Sequence, residues 1–402
     1  MPRCLASAAL SASRCPSAIM YNRTMHTRIL ILGAGFGGLE LSARLSLELG
    51  ADANVTLIDQ SDGFVFGFSK FELMFGRATL PEVTLSYRDL VQSGVAFRQE
   101  TIRSIDPTTR TVTTDQSSYD ADILVVALGA EYDLQAIPGF AEGGYEFYSI
   151  PGALRTHEIL QSFPGGRVVI GILGQPFKCP PAPCEAAILL DEWLVQHGTR
   201  DISTISVISP WGIPIPPSPD GSKAILDRFA ERGIAFVKDQ VIVSVDPKRK
   251  LIHLADGSEV PYDLLLGVPV HRVPKVVQAS GLALDGWIPV DRVNLATRFP
   301  DVYAIGDVTS APVPKAGVFA ESAARAVADH LIAQFRGQGT PKPFDGTGSC
   351  YVEFGGHLVA RLDADFLGGP KPTAPWASAS LDLAQEKRDF ASTRQTRWFG
   401  AQ

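Results

Sequence analysis

Cysteine is scarce in this chain, with five in 402 residues. That number in a chain so long excludes a disulfide-stapled scaffold, so each thiol has to be explained singly. Cations are in deficit: 36 Lys and Arg stand against 43 Asp and Glu, a formal charge of −7. An acidic chain is not a sequence-independent binder of nucleic acid, which needs an excess of cations facing phosphate. Long apolar runs are also missing. The best, Ile123 to Ala130, is far shorter than the 18 or so residues of a spanning helix. No metal site is expected. What is plentiful is glycine and proline, 37 and 29, which makes the chain turn-rich but not of low complexity. With 45% apolar residues, the length suggests two or three domains with sizeable cores.

The first 24 residues stand apart. They carry Arg3, Arg14 and Arg23, many Ser and Ala, and no acid; the first acid is Glu40. Such composition reads either as a transit-type leader or as sequence upstream of a later start at Met20 or Met25. Without its three arginines the formal charge falls from −7 to −10. Cys4 and Cys15 lie in this segment and receive no role.

A dinucleotide-binding unit follows. Ile29 to Leu32 read as an apolar strand, and Gly33-Ala34-Gly35-Phe36-Gly37-Gly38 opens a helix through Leu39, Leu41, Ala43 and Leu45. Glycines are needed there because the turn is tight and the backbone must approach a pyrophosphate lying on free helix N–H groups. A second strand, Val55 to Asp59, ends in an acid 26 residues after Gly33, placed to accept from ribose hydroxyls. Two further buried strands end in glycine: Tyr119 to Gly129, and Phe299 to Gly306-Asp307.

Together these three segments resemble the FAD-binding motifs of the two-dinucleotide-domain flavoprotein disulfide reductases. The resemblance implies bound FAD, with Gly33, Gly35, Gly37, Gly38, Asp59, Gly129, Gly306 and Gly317 near it and Asp307 holding the ribityl chain. It implies an α/β fold of two nested Rossmann-like domains plus a small C-terminal segment. The expected boundaries are a leader at 1–24, an FAD domain at 25–140 and 280–345, a second domain at 141–279, and a C-terminal interface segment at 346–402. Lys315, beside the helix start at Gly317, offers positive potential to a reduced flavin, or is a plain surface cation near a cap.

The second domain repeats the alternating pattern. Arg167 to Gly174 read as strand and turn, Glu185 to Val195 as a helix, and Ser203–Ser209, Ile234–Val237 and Tyr262–Val268 as strands, with a helix near Pro219–Arg232. Its first turn lacks GxGxxG. Pro176, Pro180, Pro181 and Pro183 occupy it instead, and proline cannot donate a backbone N–H to a phosphate. A nicotinamide nucleotide site is therefore expected to be dismantled.

The same loop holds Cys179, beside Lys178 and ahead of a helix start, surroundings that favour thiolate. Glu185 offers a proton acceptor. Cys350 is a partner thiol far along the chain. Two thiols flanking a flavin can form a disulfide or polysulfide that passes electron pairs to it, whereas a cysteine taken alone is more often a small buried hydrophobe.

Phe177-Lys178-Cys179-Pro180-Pro181-Ala182-Pro183-Cys184-Glu185 resembles the active-site loop of flavocytochrome c sulfide dehydrogenases, relatives of the sulfide:quinone oxidoreductases. Pro314-Lys315-Ala316-Gly317 and the segment from Val268 to Pro274 resemble that family near the flavin. The resemblance implies redox roles for Cys179 and Cys350, a base at Glu185, a small sulfur substrate, and a quinone or cytochrome as electron acceptor. It departs at Cys184, which is either an alternative partner for Cys179 or an inert buried thiol. It departs also in lacking a third cysteine between Cys15 and Cys179.

Other features leave alternatives open. The aromatics from Gly63 to Phe71 line a pocket or pack a core. His271 relays a proton or holds structure. The tail from Leu381 to Phe399, with Lys387, Arg388, Arg394 and Arg397, lies on an anionic membrane surface or packs on its own domain. The protein is accordingly placed in the cytoplasm or at a membrane periphery, and a homodimer stays open. The rivals to sulfide oxidation are an NAD(P)H-dependent quinone reductase of the type II kind and a non-catalytic flavin redox sensor.

Overall fold

The computed structural model describes residues 27–400 apart from positions 91 and 93. The leader at 1–24, with Cys4 and Cys15, lies outside the described residues.

The chain first lays down β1 (Thr27–Leu32), β2 (Ala53–Asp59), β3 (Val95–Gln99) and β4 (Ile123–Val126). It then leaves to build a second sheet from β5 (Tyr145–Glu146), β6 (Arg167–Ile172), β7 (Thr204–Ile208), β8 (Ile234–Val237) and β9 (Leu264–Val268). It returns with β10 (Val302–Ala304), which pairs with β4. The first sheet has the order β10-β4-β1-β2-β3 and the second β5-β9-β6-β7-β8, every pairing parallel. One unit is thus inserted within the other. A third, antiparallel sheet of β11 (Thr347–Glu353), β12 (Val359–Asp365) and β13 (Trp376–Ser380) closes the chain.

Parallel strands need helices or further strands on both faces, so they read as continuous apolar runs. In β1, Ile29 and Ile31 face α1 (Phe36–Leu49), while Leu30 and Leu32 face the opposite layer with Ile105, Val112 and Val277. A short α2 (Ser69–Met74) follows β2. In the second unit α3 (Ala182–Gln196) and α4 (Pro219–Arg232) flank the sheet. Helix α3 starts three residues before the expected Glu185, because prolines preset the helical φ at a first turn and the Glu185 amide already donates to the Pro181 carbonyl at 3.0 Å. The strand expected at Tyr119–Gly129 shortens to β4. Asp122 is held by the Arg28 side chain at 3.0 Å, and Ser118–Asp120 pairs instead with Thr111–Thr114.

Helix α5 (Gly317–Arg336) packs along α1, and the tail forms α6 (Leu381–Phe399), laid against the first unit. Three of its four cations turn inward onto acids, while Arg388 stays exposed. Arg394 pairs with Glu321 at 2.7 Å, Arg397 bridges Glu321 and Glu40 at 2.7 and 2.8 Å, and Lys387 pairs with Glu353 at 2.6 Å. These acids make the tail an internal clamp, the alternative in which it packs on its own domain. Trp398 is fully buried; its ring meets Phe36 and Phe64 edge-on and its Nε1 donates to Glu40 at 3.0 Å. Among the described residues no helix is long and apolar enough to cross a membrane.

Trp398→Ala empties a filled aromatic cluster and is expected to cost about 3–5 kcal/mol in equilibrium urea unfolding. The exposed Arg388→Ala should stay within about 0.5 kcal/mol of the parent. A Trp398→Ala loss no larger than that of Arg388→Ala would contradict the clamp.

Candidate active site

One elongated cavity of about 900 Å³ runs along the seam between the two units. At one end lie Glu100 to Arg103, in the middle Gly33 to Gly37, Asp59 and Gly129, and at the far end Lys178, Cys179, Glu185, Cys350 and Tyr351. The glycine turn fits a dinucleotide by its geometry. Gly33 has φ +100° and a Cβ there would stand 2.5 Å from the Ala127 carbonyl; a Cβ on Gly38 would stand 1.9 Å from the Gly33 carbonyl. By contrast, Gly35 and Gly129 have open space where a Cβ would be, so a ligand can come against bare backbone. Gly35 caps α1 without a side chain, and no acid sits in the first turn, which leaves the positive helix end to the cavity. Gly37 packs against Ile305, and Gly317 against the Phe36 ring, so these two serve close helix packing beside the cavity.

Asp59 sits at the end of β2, as expected, and braces the turn as well. Its carboxylate accepts from the Ala34 and Ser61 amides, each at 2.8 Å, and its remaining lone pairs face the cavity. Gly306 and Asp307 form a tight turn after β10, with Asp307 on the cavity wall.

The sulfur end joins three distant segments. Cys179 precedes α3 with φ +51°, a left-handed conformation that costs a non-glycine residue about 1–3 kcal/mol. Its amide donates to the Lys315 carbonyl at 2.9 Å, and its carbonyl accepts from Ala182. Cys350 is central in β11, opposite Leu362. Glu185, in the first turn of α3, accepts from the Glu353 amide at 2.8 Å, which fixes α3 against the strand that carries Cys350. Cys184 is buried in the second unit's core away from the cavity, and burial pushes its thiol up to about 12.

Electrostatics here differ from what the bare sequence suggests. Burial pushes the Cys179 thiol well above its usual range, and Cys350 and Glu185 add to this, while the Ala182 amide and Lys70 oppose it. The neighbouring Lys178 does not supply a thiolate partner. Its ammonium turns to the Ala130 carbonyl at 2.9 Å and the Tyr132 hydroxyl at 3.2 Å, with Asp307 at 4.0 Å. Burial also pushes Cys350 up to about 12, with Glu185 and Asp363 adding to the effect. For Glu185 burial raises the carboxyl to about 7; Lys387 opposes this and the Glu353 carboxylate reinforces it.

Lys315 is no surface cation. It is 6% exposed, and its ammonium donates to the Asp307 and Thr309 carbonyls and lies 3.3 Å from the Trp287 ring centroid. Burial lowers it to about 8. His271 is structural. Its Nδ1 lies 2.7 Å from the Pro269 carbonyl and its Nε2 accepts from the Lys178 amide at 3.2 Å, while burial lowers it to about 3. It stays neutral and holds the loop that carries Cys179.

Two cavity residues escaped the sequence reading. Lys70, on α2, lines the wall with Cys179 and Glu185; a lysine inside the aromatic run Gly63 to Phe71 was the available signal. Tyr148 also lines the wall, is 6% exposed, and has a buried hydroxyl without a partner. No motif marks it. The aromatic run does both: Phe66 packs with Trp398, Phe64 packs with Trp398 and also lines the cavity, and Phe68 and Phe71 line the cavity.

The first turn of the second unit is filled by protein. Phe177 is buried and stacks on Trp211 at 5.1 Å, and Trp211 Nε1 donates to Gln175 at 2.7 Å. A Cβ on Gly174 would meet Val270 at 2.9 Å.

The pattern of the pyridine nucleotide-disulphide oxidoreductases matches residues 27–171 and 214–329, well over half of the chain. The mitochondrial sulfide:quinone oxidoreductase of Mus musculus is 26% identical over 369 residues, spanning 87% of this chain and 81% of the mouse protein. The solved sulfide:quinone oxidoreductase of Aquifex aeolicus superposes with a TM-score of 0.83 at 23% identity, over 93% of each chain. An alternative NAD(P)H-ubiquinone oxidoreductase of Arabidopsis thaliana is 30% identical over 195 residues, only 42% of this chain and 37% of the plant protein. With a glycine turn, an acid at the end of β2 and a cavity between two nested Rossmann-like units, the chain belongs to the pyridine nucleotide-disulphide oxidoreductase family and is a FAD-dependent oxidoreductase.

Proposed function

We propose that the chain oxidises sulfide, or a closely related small sulfur species, with Cys179 and Cys350 as its redox pair, and delivers the electrons to a quinone. The observation that carries this reading is the convergence of Cys179, Cys350 and Glu185, from three separate elements, on one end of the cofactor cavity. The full-length likeness to sulfide:quinone oxidoreductases supports it.

The residues divide the work. Gly33, Gly35, Gly129 and the start of α1 hold the pyrophosphate side of FAD, and Asp59 its adenosine ribose. Asp307 and Lys315 hold the ribityl and ring side. FAD, when bound, supplies a two-electron sink beside Cys179 and a path onward to the acceptor. Hydrosulfide opens a Cys179–Cys350 disulfide by attacking one sulfur and releasing the other as thiolate. Glu185 takes the proton that arrives with the substrate; with its carboxyl near 7 it exchanges a proton under neutral conditions. Burial and Glu185 disfavour charge on both sulfurs, with Cys350 adding to this at Cys179 and Asp363 at Cys350. Lys70 is the one cation acting on either, and it acts on Cys179, to which the leaving thiolate is assigned.

A flat apolar acceptor fits the other wall. Phe390 of α6 meets Phe68 at 6.5 Å and Tyr351 at 5.6 Å between ring centroids, and all three line the cavity. This aromatic mouth suits a quinone ring better than a protein cytochrome. The NAD(P)H-dependent alternative is weakened by the second unit, whose phosphate turn is packed with Phe177, Trp211 and prolines.

Two predictions follow from these roles. Under anaerobic conditions sulfide should bleach the flavin rapidly and NADH slowly or not at all, and Cys179→Ser should abolish the sulfide response while retaining FAD. Rapid bleaching by NADH alone, or an unimpaired Cys179→Ser, would contradict the reading. For Glu185, the folded carboxyl near 7 lies above the ordinary 4.5. Its stabilising contribution is therefore complete below the lower value and lost as pH rises through the higher one. Wild type should lose urea resistance relative to Glu185→Gln as pH rises from about 5 to about 8. Parallel curves would remove Glu185 from its proton-accepting role.

A further inference from the structure

Three lysines line the cofactor cavity near the sulfur end: Lys70, Lys178 and Lys315. Two are spoken for. Lys178 is held by the Ala130 carbonyl, the Tyr132 hydroxyl and Asp307, and Lys315 by the Asp307 and Thr309 carbonyls. The Lys70 ammonium has no hydrogen bond or ion pair among the described residues, although the residue lines the cavity wall. The charged groups facing it are Lys178, Glu146, Cys179 and Asp307. Glu146 is itself occupied: its carboxylate accepts from the Tyr148 and Ser149 amides at 2.6 and 2.9 Å, and from the Ser149 hydroxyl.

The same cavity wall holds an unsatisfied donor. The Tyr148 hydroxyl is buried and unpartnered, on a residue 6% exposed that lines the cavity. Burial is the main cause that keeps this phenol protonated, and Cys179 heads the charged neighbours that add to it. The Tyr148 ring is locked in place by Phe147 at 5.1 Å and by His271 edge-on at 5.5 Å. A buried hydroxyl without a partner costs about 1–3 kcal/mol, so its retention against the cavity points to an anion that it meets during the reaction. The unpaired ammonium of Lys70 points to the same conclusion independently.

We propose that Lys70 and Tyr148 form an anion subsite at Cys179, which receives the negative charge that disulfide opening places on that sulfur. The inference rests on the sulfide-oxidising reading above. In the step it serves, HS⁻ forms a new S–S bond to the Cys350 sulfur, the Cys179–Cys350 bond breaks, and its electron pair leaves on Cys179 as thiolate. No external oxidant enters this exchange. Lys70 supplies the counter-charge and the Tyr148 O–H a hydrogen bond, which lowers the proton affinity of the leaving thiol and so speeds its departure. Other groups facing Cys179 are Cys350 and Glu185, which act against the charge, and the Ala182 amide, which acts with it. Of the groups acting on the two sulfurs, Lys70 is the one cation, and it acts on Cys179, whereas Cys350 faces Glu185 and Asp363.

The test is the pH dependence of Cys179 alkylation by iodoacetamide in the thiol-reduced holoenzyme, located by peptide mass spectrometry. No substrate is needed, so the outcome is independent of whether sulfide is the true reductant; sulfide bleaching of the parent flavin tests that separately. Burial lowers the Lys70 ammonium to about 8, so the comparison is made at pH 7, where it is still charged: Lys70→Met should lower the Cys179 alkylation rate there about tenfold, a shift of about one pH unit in the midpoint. Lys70→Arg should restore most of it. Tyr148→Phe, which removes one oxygen and keeps the ring packing, should shift the midpoint in the same direction by less. Cys350 alkylation should be unmoved in all three. Profiles for Lys70→Met and Tyr148→Phe that stay within twofold of the parent, with FAD bound, would overturn the proposal. Loss of FAD or an altered flavin spectrum with an unmoved Cys179 profile would also overturn it, assigning both residues to the cofactor.

Discussion

A single backbone hydrogen bond, from the Cys179 amide to the Lys315 carbonyl, ties the loop of the inserted unit to the turn that precedes α5. Everything at the sulfur end depends on it. It draws Cys179 out of its own domain and onto the wall of the cofactor cavity, at the cost of a left-handed backbone at a non-glycine residue. The loop is over-determined by its surroundings. His271 accepts from the preceding amide, Ala182 donates to the Cys179 carbonyl, and prolines on either side limit the chain's alternatives. The strain is thereby confined to the residue whose position matters.

Burial then sets the chemistry. Both thiols resist ionisation, and Glu185 holds its proton into the neutral range, which leaves the Lys70 ammonium as the unpaired charge at the resting site. In the proposed reaction negative charge develops when a sulfur leaves, and the cavity meets it unevenly: the Lys70 ammonium acts on Cys179, Asp363 on Cys350 and Glu185 on both. Helix α6 belongs to the same arrangement. Lys387 holds Glu353, whose amide holds Glu185, and Phe390 lines the opposite wall, so the tail clamp that anchors Trp398 also supports the active site.

The dinucleotide cradle was legible because its demand is local: a tight turn, a close helix and an acid at the next strand end leave their mark within a few dozen residues. The proline loop was legible for the same reason. Charges across the seam were not. Lys178 sits beside Cys179 in the chain, yet its side chain reaches over to Ala130 and Tyr132, contacts that no spacing reveals. The burial of Lys315 was not legible because its partners are backbone carbonyls, which every residue carries. What the basic tail packs against was not legible because its acids, Glu40 and Glu321, lie on α1 and α5, far away in sequence and without a motif. Tyr148 is defined only by what its hydroxyl lacks, a property of the fold alone.

The central claim is that Cys179 and Cys350, and not the nearer Cys184, exchange bonds at the cofactor cavity. Non-reducing peptide mapping of the air-oxidised holoenzyme tests it directly, before and after one equivalent of sulfide. The account predicts a Cys179–Cys350 cross-linked peptide that disappears on sulfide addition, leaving a sulfur adduct on Cys350 and Cys184 unmodified throughout. A Cys179–Cys184 cross-link, or a Cys179–Cys350 link unaffected by sulfide, would contradict it.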